Sequence, residues 1–206
     1  MLTIGVTGGI GSGKSLVCDI LEKSGACIFD ADEVGKQLLT DDVEARREMV
    51  REFGPESYHT DGTLNRAYIS SIVFADAERL AAINTIVHPR VFASFSRIRK
   101  QAESEGVALL VHEAALLFEA GGDRHVDATV YVDAPRWLRI RRVMDRDGRS
   151  RARVVARIKH QIPAYRGREL ADYVIRNDGT PEQLAARVSQ LLETLDRRFG
   201  TNTSHA

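Results

Sequence analysis

The sequence has no excess of either charge, since 29 basic residues balance 29 acidic ones over 206 residues. That balance gives no overall attraction to nucleic acid or to an acidic membrane. No apolar run approaches the roughly 18 residues of a membrane span, no signal peptide opens the chain, and there are no repeats or low-complexity linkers. We therefore expect a cytoplasmic protein with no membrane or nucleic-acid partner, built as one domain or one domain with an inserted lobe.

Cysteine is scarce as well. The two cysteines, Cys18 and Cys27, lie in apolar surroundings and lack the spacing of metal ligands. This pattern favours buried, reduced thiols over a disulfide.

The most informative segment that is present is Gly8–Ser15, GGIGSGKS. It fits the pattern G-x-x-x-x-G-K-[ST]. An apolar run, Leu2–Val6, precedes it, and apolar residues at helical spacing follow it until Gly25, which is placed to end a helix. Strand, glycine loop and helix in this order predict a phosphate-binding P-loop.

Physical chemistry explains these residue types. Consecutive backbone N–H groups of a glycine loop converge on phosphate oxygens, and the helix N-terminus adds partial positive charge. Lys14 is expected to reach the β- and γ-phosphates of ATP, and Ser15 to offer its hydroxyl to Mg²⁺. We expect the loop residues that contact the nucleotide to be Gly11, Ser12, Gly13, Lys14, Ser15 and Leu16.

Five short apolar runs alternate with helical patterns, which predicts an α/β fold with a parallel sheet flanked by helices. The last helix has a clear start, because Thr180, Pro181 and Gln183 form a capping-box pattern, and it is expected to run to about Phe199 before a disordered tail, 200–206. The predicted strands are Leu2–Val6, Ala26–Phe29, Val107–Val111, Ala128–Val132 and Tyr173–Ile175.

The stretch from Asp41 to Glu105 has helical patterns and no convincing strand. Asp61-Gly62 predicts a turn, Asn65 a helix cap, and Pro89 the start of a long helix that Gly106 ends. Small-molecule kinases place their acceptor-binding lobe at this point, between the second and third strands. We therefore predict a core of about 1–40, 106–135 and 170–199, with a helical acceptor lobe at about 41–105.

Two carboxylates, Asp30 and Asp32, follow the second predicted strand. Side chains at the C-terminal end of a parallel strand point toward the ligand crevice. Phosphoryl transfer to a hydroxyl needs a carboxylate that orients the O–H group and accepts its proton. Asp30 is the better candidate for a helix N-cap and Asp32 for the catalytic group. Two helix-starting acids without a catalytic part are the alternative.

Nine arginines and two acids lie between Arg136 and Arg157. Nucleic-acid binding is one interpretation, but Trp137 is the sole aromatic residue in this stretch. A solvated helical face is another. We favour an arginine-rich lid of two helices, about 136–169, because guanidinium groups spread positive charge over the oxygens of a transferring phosphoryl group.

The chain resembles the dephospho-coenzyme A kinase family from Leu2 to about Glu193. Eight segments resemble family segments in family order, and the series is far more specific than the P-loop alone. The segments are GVTGGIGSGKS at Gly5–Ser15, FDAD at Phe29–Asp32, DGTLNR at Asp61–Arg66, IVHP at Ile86–Pro89, LLFE at Leu116–Glu119, MDRDG at Met144–Gly148, RIKHQ at Arg157–Gln161 and ADYVIRNDG at Ala171–Gly179.

This resemblance implies a P-loop kinase with five parallel strands, a helical acceptor-binding insertion and a helical lid. It implies transfer of the ATP γ-phosphate to the ribose 3′-hydroxyl of dephospho-coenzyme A, the last step of coenzyme A synthesis, by a chain taken as a monomer by default. The roles it implies are Asp32, Lys14, Arg142 and Arg146 as catalytic residues, Asn177 on the adenine side, and Asp32, His88 and Leu116 on the acceptor side.

The sequence departs from the family pattern twice. Leu16 replaces the usual Thr after the P-loop serine, which keeps a backbone N–H but loses a hydroxyl. Glu113-Ala114-Ala115 replaces the usual D-x-P, so that Glu113 keeps a carboxylate suited, with Ser15, to a Mg²⁺ site.

Two other readings stay open on the sequence alone. One is a different P-loop kinase, for a small hydroxyl compound or a nucleoside monophosphate. The other is a nucleotide-dependent switch, which would need neither Asp32 nor the lid arginines.

Overall fold

A computed structural model describes residues 1–73, 76–159 and 161–203. Five strands form one sheet in the order β2-β3-β1-β4-β5, and every neighbouring pair is parallel. The expected α/β architecture is confirmed. The strands are β1 Leu2–Thr7, β2 Cys27–Asp30, β3 Leu109–Glu113, β4 Ala128–Asp133 and β5 Tyr173–Arg176.

Nine α-helices lie between and after these strands in the described part of the chain. Two short 3-10 turns, Pro55–Ser57 and Gly122–His125, add to them. The helices are α1 Lys14–Lys23, α2 Ala31–Asp41, α3 Val43–Phe53, α4 Arg66–Val73, α5 Ala77–Ser104, α6 Arg136–Asp147, α7 Arg151–Ile158, α8 Ala164–Leu170 and α9 Pro181–Phe199.

The chain divides into two compact units. The sheet unit consists of Met1–Asp30 with Ile98–Ala206, and the helical unit consists of Ala31–Arg97. The inner strands β1, β3 and β4 are buried on both faces and mostly apolar, as is typical of a parallel sheet covered by helices. Their side chains pack with α1 and α9 in one core that includes Ile4, Val6, Leu21, Val111, Val130 and Leu192.

The helical unit has its own core of Ala45, Met49, Phe53, Ile69 and Ile86. Caps define its helix starts: Asp42 accepts a bond from the Ala45 N–H at 2.8 Å, and Asn65 accepts one from the Tyr68 N–H at 3.1 Å. The predicted Asn65 cap and the Asp61-Gly62 turn are confirmed. A lone bridge between Tyr58 and Leu64 is the sole β-pairing among the described residues of this unit.

The predicted start of the long helix is wrong. Pro89 does not start the long helix but lies inside α5, which begins twelve residues earlier at Ala77. A proline costs an interior helix one hydrogen bond, and here apolar burial on either side, at Ile86 and Val91, accompanies the helical path. Tertiary packing outweighs the local preference.

The two ends of the last helix match expectation. Thr180 and Gln183 form the capping box, and Gly200 ends α9 after Phe199. Thr201 and Thr203 donate to the Asp196 carboxylate at 2.8 and 2.7 Å. These bonds and the burial of Thr203 hold 201–203 against α9, within the tail predicted to be disordered over 200–206. Residues 204–206 lie outside the described residues.

Both cysteines are free thiols, Cys18 buried and Cys27 half-buried. None of the helices in the described ranges combines the length and the apolarity that crossing a bilayer requires.

Candidate active site

The loop between β1 and α1 has the backbone of an anion-binding turn. Gly11 and Gly13 take φ values of +77° and +92°, which side chains rarely adopt. The space is also closed: a Cβ at Gly11 would lie 2.4 Å from the Arg139 carbonyl oxygen, and one at Gly13 would lie 2.1 Å from the Asn177 amide nitrogen. Conformation and contact therefore both require glycine at positions 11 and 13.

The start of α1 leaves its N–H groups available. Gly13 occupies the N-cap without a side-chain hydrogen bond, and no acid lies in the first turn. Lys14 is the first helical residue, so its charge adds to the partial positive charge of the helix terminus. This combination favours a polyanion such as a nucleotide phosphate chain.

Glu113 ends β3, the strand next to β1, and is 8% exposed. The Ser15 hydroxyl donates to its Oε1 atom at 3.2 Å. Burial raises the pKa of Glu113 above its ordinary value, while the charge of Lys14 and hydrogen bonds from Cys18 and Ser15 oppose that rise. Asp30 lies opposite Glu113 in the sheet register, and its negative charge adds to the rise in the pKa of Glu113.

Two oxygen ligands do not make a closed metal site. In residues 1–73, 76–159 and 161–203 no group of three or more His, Cys, Asp or Glu side chains is arranged to hold a metal ion. The Ser15 hydroxyl and the Glu113 carboxylate are hard oxygen donors, and such partial sites are completed by phosphate oxygens and water. The chemistry of this pair fits a magnesium ion that arrives with a nucleotide.

Arg142 of α6 and Asn177, which directly follows β5, bind the P-loop. The Arg142 Nη1 atom donates to the carbonyls of Ser12 and Asn177 at 3.4 and 3.1 Å, and its Nη2 atom donates to Asn177 Oδ1 at 3.3 Å. The Asn177 amide in turn donates to the Ser12 carbonyl at 2.8 Å. The structure thus brings these two predicted residues together at the loop.

Arg146 lies elsewhere. It forms an ion pair with Asp147 at 2.7 Å, and its side chain is 66% exposed. Arg142 and Arg146 are four residues apart on α6, yet their guanidinium groups contact different partners. The two lid arginines are therefore not equivalent in this structure.

Two further side chains hold the loop and were not assigned a role from the sequence. Arg139, 5% exposed, donates from Nε to the Ile10 carbonyl at 3.1 Å. Gln161 accepts from the Ile10 N–H at 2.7 Å and donates to the Ala115 carbonyl at 3.1 Å. Arg139 precedes Arg142 by three residues on one helix face, and that spacing is the signal that could have indicated it.

The remaining predicted residues lie in other segments. Asp32 is exposed in the first turn of α2, and His88 lies half-buried in α5 with its ring edge against Phe92. Both belong to the helical unit, and burial lowers the pKa of His88. Leu116 is half-buried in the turn that follows β3, and Leu16 is 41% exposed in α1.

Comparison with known proteins identifies the family to which the chain belongs. The family model described as dephospho-CoA kinase matches residues 2–183. The chain belongs to the dephospho-CoA kinase family. A protein named dephospho-CoA kinase from Salinibacter ruber is 50% identical over 191 residues, which cover 93% of this chain and 96% of the relative.

Two solved structures give the same picture of the fold. A structure of TT1252 from Thermus thermophilus has a TM-score of 0.81 at 36% identity and covers 94% of this chain and 97% of its own. A dephospho-CoA kinase from Campylobacter jejuni has a TM-score of 0.70 at 22% identity and covers 96% and 98%. The second likeness concerns the fold alone.

Proposed function

We propose that this protein transfers the γ-phosphoryl group of ATP to the ribose 3′-hydroxyl of dephospho-coenzyme A, giving coenzyme A and ADP in the cytoplasm. The observation that carries the proposal is the P-loop, with Ser15 bonded to the buried Glu113, in a chain of the dephospho-CoA kinase family. We take the protein to act as a monomer, because one chain contains every residue to which this proposal assigns a role.

The nucleotide binds along the loop. Backbone N–H groups of Gly11–Ser15 and the Lys14 ammonium hold the β- and γ-phosphates, where they stabilise charge that shifts during transfer. Ser15 and Glu113 would hold Mg²⁺, and its charge would neutralise negative charge that develops on the phosphates during transfer. Arg142 and Asn177 lie beside Gly13. We assign Asn177 to the adenine side of the site and Arg142 to the charge of the phosphate chain.

The acceptor side requires a proton acceptor. We assign it to the Asp32 carboxylate, which takes the proton of the 3′-hydroxyl as the ribose oxygen bonds to the γ-phosphorus. The bond from that phosphorus to the β,γ-bridging oxygen breaks, and ADP leaves with the electron pair. His88 and Leu116 are assigned to acceptor binding, and Arg146 to the transferring phosphoryl group once it leaves Asp147.

An acceptor panel tests the proposal. ADP release with Mg²⁺ and ATP should be rapid with dephospho-coenzyme A and slow with AMP, shikimate or gluconate. Adenosine alone should lose kcat as well as affinity, because remote binding energy positions the reacting hydroxyl. Rapid phosphorylation of AMP with dephospho-coenzyme A untouched would replace this proposal with a nucleoside monophosphate kinase.

A further inference from the structure

A second concave site lies in the sheet unit, beside the start of α6. It is a cleft of about 550 Å³ between the ends of β4 and β5 and the segment from α7 to α8. That volume lies in the range of small-molecule sites, roughly 300–1,000 Å³. Among its lining residues, Arg139 also holds the P-loop through the Ile10 carbonyl, and the others have no role described above.

The lining is strongly basic. Arg136, Arg139, Arg168 and Arg176 face the cleft, with Asp133 as the acidic residue among them. Asp133 is engaged by Arg168 at 3.2 Å, and Arg176 by Asp178 at 2.7 Å. Two of the four cations are therefore balanced by carboxylates.

The other two cations are not balanced in this way. Across the described residues, neither Arg136 nor Arg139 forms an ion pair. Arg139 is only 5% exposed, and burial lowers its pKa, so a positive charge is held in a poorly solvated place. Asp133 attracts Arg139 but forms its ion pair with Arg168, and the charge of Arg136 opposes that attraction. A buried charge with no ion pair of its own is costly, and an anion in the cleft would reduce that cost.

Backbone groups add to this preference for an anion. The N-cap of the twelve-residue helix α6 is Pro135, which forms no side-chain cap, and the first turn contains no acid. Asp133, Ala134, Pro135 and Arg136 all line the cleft, so the uncapped N–H groups at the start of α6 lie at its wall.

The rest of the wall is apolar and consists of Ile158, Ile162, Pro163 and Ala164. An inorganic anion would leave this part of the surface unused, whereas an organic group would bury it. We propose that the cleft binds a small organic anion, with its phosphate or carboxylate on Arg136 and Arg139 and its apolar portion against Ile158, Ile162 and Pro163.

The sequence supplies a reporter for this site. The chain has one tryptophan, Trp137, which follows Arg136 in the first turn of α6 and is 65% exposed. Its fluorescence can be titrated with phenyl phosphate while a non-hydrolysable ATP analogue at saturation occupies the P-loop. We expect saturable binding that persists with the analogue present, at least about tenfold tighter than that of inorganic phosphate.

Two variants give the matched comparison. Arg136→Gln should weaken phenyl phosphate binding about tenfold or more, since a charge-assisted bond is lost. Arg141→Gln removes the same charge from the exposed face of α6, where Arg141 pairs with Asp145, and should leave binding unchanged. The test does not depend on which acceptor the enzyme phosphorylates.

Three results would each overturn the proposal. Displacement of phenyl phosphate by the ATP analogue would assign the signal to the nucleotide site. Equal losses in Arg136→Gln and Arg141→Gln would indicate a diffuse electrostatic effect. Equal affinity for inorganic phosphate and phenyl phosphate would show that the cleft does not prefer an organic ligand.

Discussion

The P-loop and the first turn of α2 carry the two motifs that predict phosphoryl transfer. They differ in how the surrounding side chains contact them. Four side chains bond to peptide groups of the loop, namely those of Arg139, Arg142, Gln161 and Asn177. Asp32 instead lies exposed at the start of a helix. The comparison teaches that long-range bonds arrange the P-loop, whereas the carboxylate that we assign to the acceptor side lies on the exposed start of a helix.

Lys14→Ala should have the largest effect and acts on the nucleotide side. Lys14 lies at the junction of loop and helix, so the substitution removes little core packing. It does remove the positive charge that stabilises the phosphates while their negative charge shifts during transfer. We expect transfer activity to fall to background with an unchanged far-UV circular dichroism spectrum. A purified variant that kept most of its kcat would refute the P-loop assignment.

Asp32→Asn should act on the acceptor side alone. Removal of a general base lowers kcat by about 10²–10⁴-fold, and we expect a loss of about 100-fold. The Kd for ATP, measured by calorimetry, should stay within error of the wild-type value. The matched control is Asp30→Asn, which should cost about 1 kcal/mol of stability or less because Asn still caps a helix. A larger kcat loss at Asp30 would exchange the two roles.

Lysine substitutions at the two lid arginines should separate the loop-bound position from the exposed one. Arg142→Lys removes the guanidinium group that donates hydrogen bonds to Ser12 and Asn177. We therefore expect a several-fold higher KM for ATP. Arg146→Lys should lower kcat with little change in ATP binding, because a point charge does not reproduce bidentate contact with the phosphoryl group. Arg153→Lys, at an exposed site on α7, should be silent. Equal effects at all three positions would favour a diffuse basic patch.

Glu113→Gln should have the smallest effect, one on stability as a function of pH. The pKa of Glu113 is raised, so the folded state holds this proton more tightly than the unfolded chain does. Ionisation of Glu113 therefore costs folding stability, which falls as the pH rises from the ordinary carboxyl pKa through the raised one. At about pH 7 the Tm of Glu113→Gln should exceed that of the wild type, and at about pH 4 the two should coincide. A lower Tm of the variant at about pH 7 would contradict this account.

Much of the fold was predictable because local signals agreed with burial. The β1 run is buried at all six residues, and Thr180 and Gln183 form the cap that their spacing predicts. The helix start predicted at Pro89 was wrong because the preference of proline for a helix start is local. The packing of Ile86 and Val91 is instead a property of the folded unit.

The site was predictable in part, for a related reason. Gly11, Gly13, Lys14 and Ser15 lie in one contiguous motif, so spacing alone predicts their association. Arg139 and Gln161 contact Ile10 across 129 and 151 residues of sequence. The spacing of three residues indicates that Arg139 shares a helix face with Arg142, but it does not identify Ile10 as its partner. That contact exists only after α6 packs beside the loop.

The most direct test of the central claim is the position of the phosphate in the product. The enzyme is incubated with Mg²⁺, ATP and dephospho-coenzyme A, and the product is analysed by mass spectrometry and by phosphorus–proton NMR coupling. This account predicts one added phosphoryl group, coupled to the ribose H3′ proton, in a product indistinguishable from coenzyme A. A phosphate on another hydroxyl, or ADP formed with dephospho-coenzyme A unchanged, would contradict it.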